Sequence, residues 1–332
     1  MKKTPALFAI VMASTLITSC TKNRENDVVS QRYIHKYGYA VSKEEWEARQ
    51  YPGQVVTTTR EGVTITTSYE NGVKHGPSTQ TYPDSQIIQT YNFYNQGELV
   101  KEVSYDDKGM PIREEVQLSP SRRSITLWYA EGTPMSIEEY ANKELLQGEY
   151  FTLNNDVEAR VEKGIGLRIR RDQMGVLLSK DQFDSGYLTK TETFFANGAP
   201  ESIAHYSVGN LDGEKSVFAQ TGEPISCEQY EAGVLHGVSI YFKNGTKNQS
   251  ISYHKGRKHG SEIHYLDGDA ISQELHWFND RKHGTTTFYI DGSPQSEWYY
   301  DGEQVSQKKF EELNRLDEMI SRISRPQAQP VR

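Results

Sequence analysis

Apolar and polar residues alternate with a period of two through most of this chain. The alternation begins at Val55, Thr57 and Thr59 and resumes at Val63, Ile65 and Thr67. It is clearest from residue 237 onward. There Val238-Ser-Ile-Tyr-Phe242 is a short run rich in β-branched and aromatic residues, and Gln249-Ser-Ile-Ser-Tyr253 answers it. Period two with that composition predicts strands. Between them stands Asn244-Gly245, the dipeptide that accepts positive φ at both central positions of a tight hairpin turn. The same signal recurs as Asn71-Gly72, Asn197-Gly198, Asp267-Gly268, Asp291-Gly292 and Asp301-Gly302. Two stretches break the pattern. Ser42-Lys-Glu-Glu45 is a capping box ahead of Trp46 and predicts a short helix ending before Pro52-Gly53. Near the end, Phe310, Leu313, Leu316, Ile320 and Ile323 fall at helical spacing and predict an amphipathic helix.

The strands repeat. His236-Gly237, His259-Gly260 and His283-Gly284 follow one another at steps of 23 and 24 residues, and Gly222, Gly245, Gly268 and Gly292 run in parallel. A fixed period in this range signals a repeat architecture. Each unit reads as one β-hairpin, with Gly256-x-x-x-Gly260 as the wider turn into the next. The expected fold is therefore all-β, a solenoid-like antiparallel sheet of hairpins of about 23 residues, with a short N-terminal helix and a C-terminal capping helix. Aromatic residues line up in columns: Phe194, Phe218, Tyr241, His264 and Phe288 on one strand, Tyr206, Tyr230, Tyr253, Trp277 and Tyr300 on the other.

Tyr253-His-Lys-Gly-Arg-Lys-His-Gly260 and its companions at Tyr230 and Trp277, followed by strand, Asn/Asp-Gly and strand, resemble the MORN-variant repeat family of bacteria. The likeness is close from Gly198 to Gly302 and plausible from Tyr69 to Tyr82, with Lys74-His75-Gly76. It weakens between about 100 and 190, where Gly109, Gly132 and Gly175 keep the period without the His-Gly pair. The resemblance implies interaction rather than chemistry. Some members carry an antitoxin label.

Residues 1–19 read as a targeting segment: Lys2 and Lys3, then a 12-residue apolar run from Ala6 to Ile17, too short to span a bilayer. Ile17-Thr-Ser-Cys20 resembles the lipobox of bacterial lipoproteins. That implies a lipid on the Cys20 thiol, with Thr21 matching the outer-membrane sorting pattern. The alternative is an ordinary signal peptide cleaved near Ser19. Residues 20–54 then form a polar tether and cap helix, 55–304 the repeats, 305–325 the C-terminal helix and 326–332 a disordered tail. If Cys20 is acylated, Cys227 stands alone, as a packed thiol or as a reactive or intermolecular one.

Charge narrows the partners. The net charge of −8 becomes −10 once residues 1–19, with Lys2 and Lys3 and no acids, are removed. That argues against nucleic acid and against adhesion to anionic lipid, so the membrane contact is the lipid. No P-loop, G-x-S-x-G, H-E-x-x-H or C-x-x-C pattern occurs. The reading is non-enzymatic, with no cofactor. His75, His236, His259 and His283 read as turn residues, because equivalent positions in neighbouring hairpins lie about 10 Å apart and Zn–N bonds are about 2.0–2.1 Å. Candidate partner-binding residues are the aromatics Tyr241, Tyr253, Tyr265, Trp277, Trp298 and Tyr300, against the alternative that they pack on one another. Arg168 and Arg170 are a second candidate. They are expected on the strand face opposite Ile165, Leu167 and Ile169, either as a solvated face or as a docking point for an acidic partner or anionic polysaccharide. Three functions follow: a lipid-anchored scaffold for a protein partner, a binder of glycan or cell-wall polymer, or a toxin-neutralising partner.

Overall fold

The computed structural model describes residues 27–290 and 292–323. Cys20, the targeting segment and the tail at 326–332 lie outside them. The chain divides into two units, one up to Gly109 and one from Met110. Both are built of antiparallel strands in which chain neighbours pair, as a repeat of hairpins requires.

In the first unit the strand Val28–His35 pairs with Gly53–Thr59, and Thr64–Glu70, Val73–Thr81, Ile88–Asn95 and Glu98–Tyr105 follow in order. Residues 28–35 are thus a strand and not part of a tether. They supply backbone partners to an edge that would otherwise be open. The two-residue strand Ala40–Val41 pairs with their other side. The helix Lys43–Arg49 follows the capping signal: the Glu45 N–H donates to Ser42 Oγ at 3.2 Å. The Glu45 carboxylate does not return to Ser42; it accepts the Tyr51 hydroxyl instead. Trp46 is the buried residue of this helix and packs between Tyr33 and Tyr69, ring centroids 5.6 and 6.2 Å away.

The second unit runs from Pro111–Ser119 to Glu303–Val305 as successive antiparallel strands and closes with the helix Gln307–Ile323. Hairpins continue through 110–190, where the His-Gly signature lapses. Here the sheet builds a buried apolar cluster from Leu145, Tyr150, Val161, Ile169 and Phe183. Full burial of such side chains contributes about 1.5–3 kcal/mol each. The strand Ile165–Arg171 pairs with Val157–Glu162 at only two positions before diverging. Gly166, at φ +145°, sits at the divergence, where a Cβ would lie 2.2 Å from the Arg160 carbonyl oxygen.

Turn chemistry differs from expectation in two ways. Asn71-Gly72, Asn244-Gly245 and Asp301-Gly302 are two-residue turns with positive φ throughout. At Asn197-Gly198 only the glycine is left-handed. Its N–H reaches the Phe195 carbonyl and Phe195 N–H reaches Ala199, a three-residue loop with a glycine bulge. Gly256-x-x-x-Gly260 is not one wide turn. Lys255-Gly256 is itself a two-residue turn closed by His254 and Arg257, and Gly260 lies inside the next strand. The pairs Ile251–Glu262 and Tyr253–Lys258 leave Ser252 facing His259, Gly260 and Ser261. The His-Gly pair is thus a β-bulge with a left-handed glycine, not a turn. Its period marks the bulge of each hairpin.

The C-terminal helix is capped by Ser306, whose Oγ accepts the Lys309 N–H. Phe310 packs on Trp298 at 5.1 Å and His283 at 5.4 Å. Leu313 is half-buried, whereas Leu316 and Ile320, expected on the packed face, are exposed.

Gly166→Ala and Gly198→Ala test the backbone argument. A left-handed alanine costs about 1–2 kcal/mol, and Gly198 has open space for a Cβ. Gly166→Ala adds a backbone collision and is expected to cost at least about 3 kcal/mol or to prevent folding. Urea unfolding midpoints report the difference, and equal effects would refute it.

Candidate interaction surface

Residue pairs across the last strands place three rows on one face of the sheet. The first is Tyr241, Gln249, His264, Gln273, Phe288 and Gln295. The middle row is Ser239, Ile251, Glu262, Leu275, Thr286 and Glu297. In the third, Gly237, Gly260 and Gly284 pair with Tyr253, Trp277 and Tyr299. The third row corrects the aromatic column: its last member is Tyr299, not Tyr300. Because strand side chains alternate, that one-residue slip puts Tyr300 and Trp298 on the other face.

The middle row is buried up to Thr286, with Ser239 fully inaccessible and Ile251, Glu262 and Leu275 each 5% exposed; Glu297 at its end is half-buried. A carboxylate in such a row needs partners. Glu262 has three: Lys258 Nζ at 2.5 Å, Gln249 Nε2 at 2.6 Å and His264 Nε2 at 2.9 Å. Burial raises the Glu262 pKa, but the hydrogen bond and charge of Lys258, with His264, outweigh it and hold the carboxyl below its ordinary value. The same device recurs two residues apart on a strand, where side chains share a face. Tyr140, Tyr230 and Tyr299 hydroxyls donate to Glu138, Glu228 and Glu297 at 2.7, 2.9 and 2.9 Å. Burial first, then the Glu228 hydrogen bond, pushes the Tyr230 phenol up to about 12. This Glu-x-Tyr spacing is visible in the sequence at all three positions.

The candidate aromatics divide. Tyr241 and Tyr253 share the buried face, and burial and a hydrogen bond to Tyr253 raise the Tyr241 phenol. Lys258 Nζ lies 4.7 Å from the Trp277 ring centre, and Lys282 Nζ 4.8 Å from that of Tyr299. Lys247 covers Tyr265 at 4.0 Å. Burial raises the Tyr265 phenol, but hydrogen bonds from Lys247 and Ser250 outweigh it and lower its pKa. Trp298 and Tyr300 pack under Phe310, with the Tyr300 hydroxyl on Asp317.

The histidines form a file. Rings follow one another from His236 to His254 (5.0 Å), His259 (5.7 Å), Phe278 (5.0 Å), His283 (5.7 Å) and Tyr300 (5.0 Å). His254 fills the gap expected between equivalent positions. Among the described residues no three His, Cys, Asp or Glu side chains converge in a metal-binding geometry. His236 Nδ1 is 2.9 Å from Glu231 but out of line for a hydrogen bond.

Arg168 and Arg170 share the buried face with Asp181 and Ser179. Arg168 is not a solvated residue. Its Nε donates to Asp181 Oδ2 at 2.9 Å, and its Nη1 lies 3.9 Å from Glu138, which also accepts the Tyr140 and Tyr150 hydroxyls. Burial lowers the Arg168 pKa, and Asp181 and then Glu138 more than restore it. Burial and Glu138 raise both phenols. The expected apolar face holds only at Ile169, which is buried: Ile165 and Leu167 are exposed, while Arg168 on the other face is mostly covered. The carboxylate of Asp181, 2% exposed, draws it inward. Arg170 is exposed. Cys227 is half-buried, and burial foremost raises its thiol, which keeps it protonated near neutral pH.

No family model and no curated relative matches the chain. Among solved structures it is similar to TarM, at 15% identity and a TM-score of 0.19, over 35% of this chain and 19% of that one. It is likewise similar to a variant of S. aureus TarM in complex with fondaparinux, alpha-GlcNAc-glycerol and UDP, at 14% identity and 0.19, over 41% and 21%. The chain spans about a fifth of the length of those structures. A likeness of that size assigns neither fold nor ligand.

Glu262→Gln tests the buried hub. With the folded pKa lowered, the ionised carboxylate stabilises the chain above the ordinary carboxylate range, and the contribution is lost as pH falls through the folded value. The variant is expected to be about 1–3 kcal/mol less stable at pH 7. The gap should close on acidification, as measured by urea unfolding at both ends. A gap independent of pH would show that charge is not the cause.

Proposed function

We propose that this is a non-enzymatic, lipid-anchored protein of the bacterial envelope, of the MORN-variant kind, whose repeat sheet is a scaffold for a protein partner. Cys20 would carry the lipid and set the membrane contact. No helix among the described residues is long and apolar enough to cross a membrane, which is compatible with such an anchor and decides nothing about it. The observation that carries the scaffold reading is the periodic face: Tyr253, Trp277 and Tyr299 stand on successive hairpins, each pair separated by a lysine, all half-buried. Aromatic rings pre-positioned by neighbours lose little freedom on binding and are favoured at interfaces.

The glycan reading is weaker on the same residues. A pyranose stacks on an open ring face, and lysines already occupy the faces of Trp277, Tyr299 and Tyr265. The toxin-neutralising reading rests on the family resemblance alone.

Crosslinking and affinity capture of the tagged protein from membranes, beside Cys20→Ala and Trp277→Ser variants, tests the proposal. One specific protein should be captured with the wild type, lost with Cys20→Ala and weakened about 30-fold with Trp277→Ser, as for a centrally placed aromatic. Recovery of cell-wall fragments in place of protein would favour the glycan reading.

A further inference from the structure

The strand Ile165–Arg171 is separated from Pro134–Ala141 by two strands, Glu144–Phe151 and Val157–Glu162. In a flat sheet that is three spacings, about 14 Å. Arg168 nevertheless comes within 3.9 Å of Glu138. Long Arg and Glu side chains cover much of that distance, but Ile165–Arg171 also brings Cα atoms within 8 Å of Glu144–Phe151, closer than the roughly 9.6 Å of two flat spacings. The sheet therefore curls here, at the divergence marked by Gly166. The curl encloses a cleft of about 280 Å³, lined by Ile125, Leu127, Met135 and Leu178 together with Arg113 and Arg170.

The charges around this cleft do not balance. Arg113 and Arg123 share Glu115, Arg168 is held by Asp181 and Glu138, and Arg171 pairs with Glu158. Arg170 is left over: it is exposed, lines the cleft and has no ion pair among the described residues. In a chain of net charge −8 this is a local cationic surplus. A guanidinium fork recognises a carboxylate through two parallel hydrogen bonds. The four aliphatic side chains suit an aliphatic group beside that carboxylate. Tyr140 and Tyr150 also line the cleft but offer no open ring face to a sugar, since Tyr150 is 1% exposed and the Arg123 guanidinium lies 5.5 Å from the Tyr140 ring centre. The volume lies at the low end for ligand pockets, sufficient for one or two residues of a peptide.

We propose that this cleft binds an acidic peptide segment of a partner protein, with an Asp or Glu carboxylate on Arg170 and an adjacent Leu, Ile or Val in the aliphatic floor. It names a partner chemistry for the scaffold reading but does not depend on the anchor. Binding by the purified full chain is the same whether or not Cys20 carries lipid.

Calorimetric titration of the purified full chain with the capped peptide Gly-Leu-Leu-Glu-Gly tests it, beside the same peptide carrying Gln for Glu. The Glu peptide should bind at least about 10-fold more tightly than the Gln peptide, a difference worth about 1.4 kcal/mol. Arg170→Ala should abolish that preference, and Arg170→Lys should keep only part of it. Arg160→Ala, whose side chain pairs with Glu149 outside the cleft, should leave it unchanged. Arg170 is exposed, so its variants are expected to keep the wild-type circular dichroism spectrum. Equal affinity for both peptides, no binding at millimolar peptide, or an unchanged preference in Arg170→Ala would overturn the proposal. So would tighter binding of a sulfated oligosaccharide that Arg170→Ala removes, which would assign the cleft to an anionic glycan.

Discussion

The buried carboxylates of the sheet must be satisfied by side chains of the same face, and much of the structure follows from that need. Glu138 and Glu262 are buried, where an unpaired charge costs several kcal/mol, and Glu228 and Glu297 are half-buried. Each finds its donors from the neighbouring strand or two to four residues along its own. Because the donors are Tyr, Lys, His and Gln on fixed strand positions, the acids also lock the register. A one-residue slip would carry every one of them to the opposite face.

Register is protected a second way by the bulges. The left-handed glycines at 260 and 284 insert extra residues opposite a single partner, and Gly237 lies in a wider irregularity of the same kind, so each re-aims its strand. Opposite Gly284, the His276 ring caps the bulge through the Thr285 carbonyl, at 3.0 Å. The lysine two residues before each of Gly260 and Gly284 lies over the aromatic of the following strand. One short motif thus supplies the bulge, the ring file and the cation that covers the next aromatic. That is a physical reason for its recurrence at a fixed step.

Where the motif lapses, between 110 and 190, a different solution appears. The apolar cluster around Leu145, Tyr150 and Phe183 takes over, and the sheet curls until Arg168 bridges Asp181 and Glu138. The regular repeats present a long face of repeated rows; the irregular ones produce concavity. A scaffold with both offers an extended contact surface and one localised cleft, so the two functional proposals fall on different parts of the second unit.

The sequence by itself determined the strand period, the hairpin unit, both helices and the positions of most turns, because these depend on alternation, on glycine conformation and on capping within a few residues. Val238–Phe242, Ser42 with Glu45, and Asn244-Gly245 were legible for that reason. Tertiary structure decided what depends on pairing across strands. It turned Arg168 inward, because Asp181 lies opposite it only once the strands are in register. It made the His-Gly pairs bulges, since a bulge is defined by the partner strand. It put Tyr299 in the row where Tyr300 was expected, and it recruited residues 28–35, polar enough to read as a tether, to an edge needing backbone partners. The cleft beside Arg170 belongs to the same class: its walls are far apart in sequence, and only the curl of the sheet brings them together.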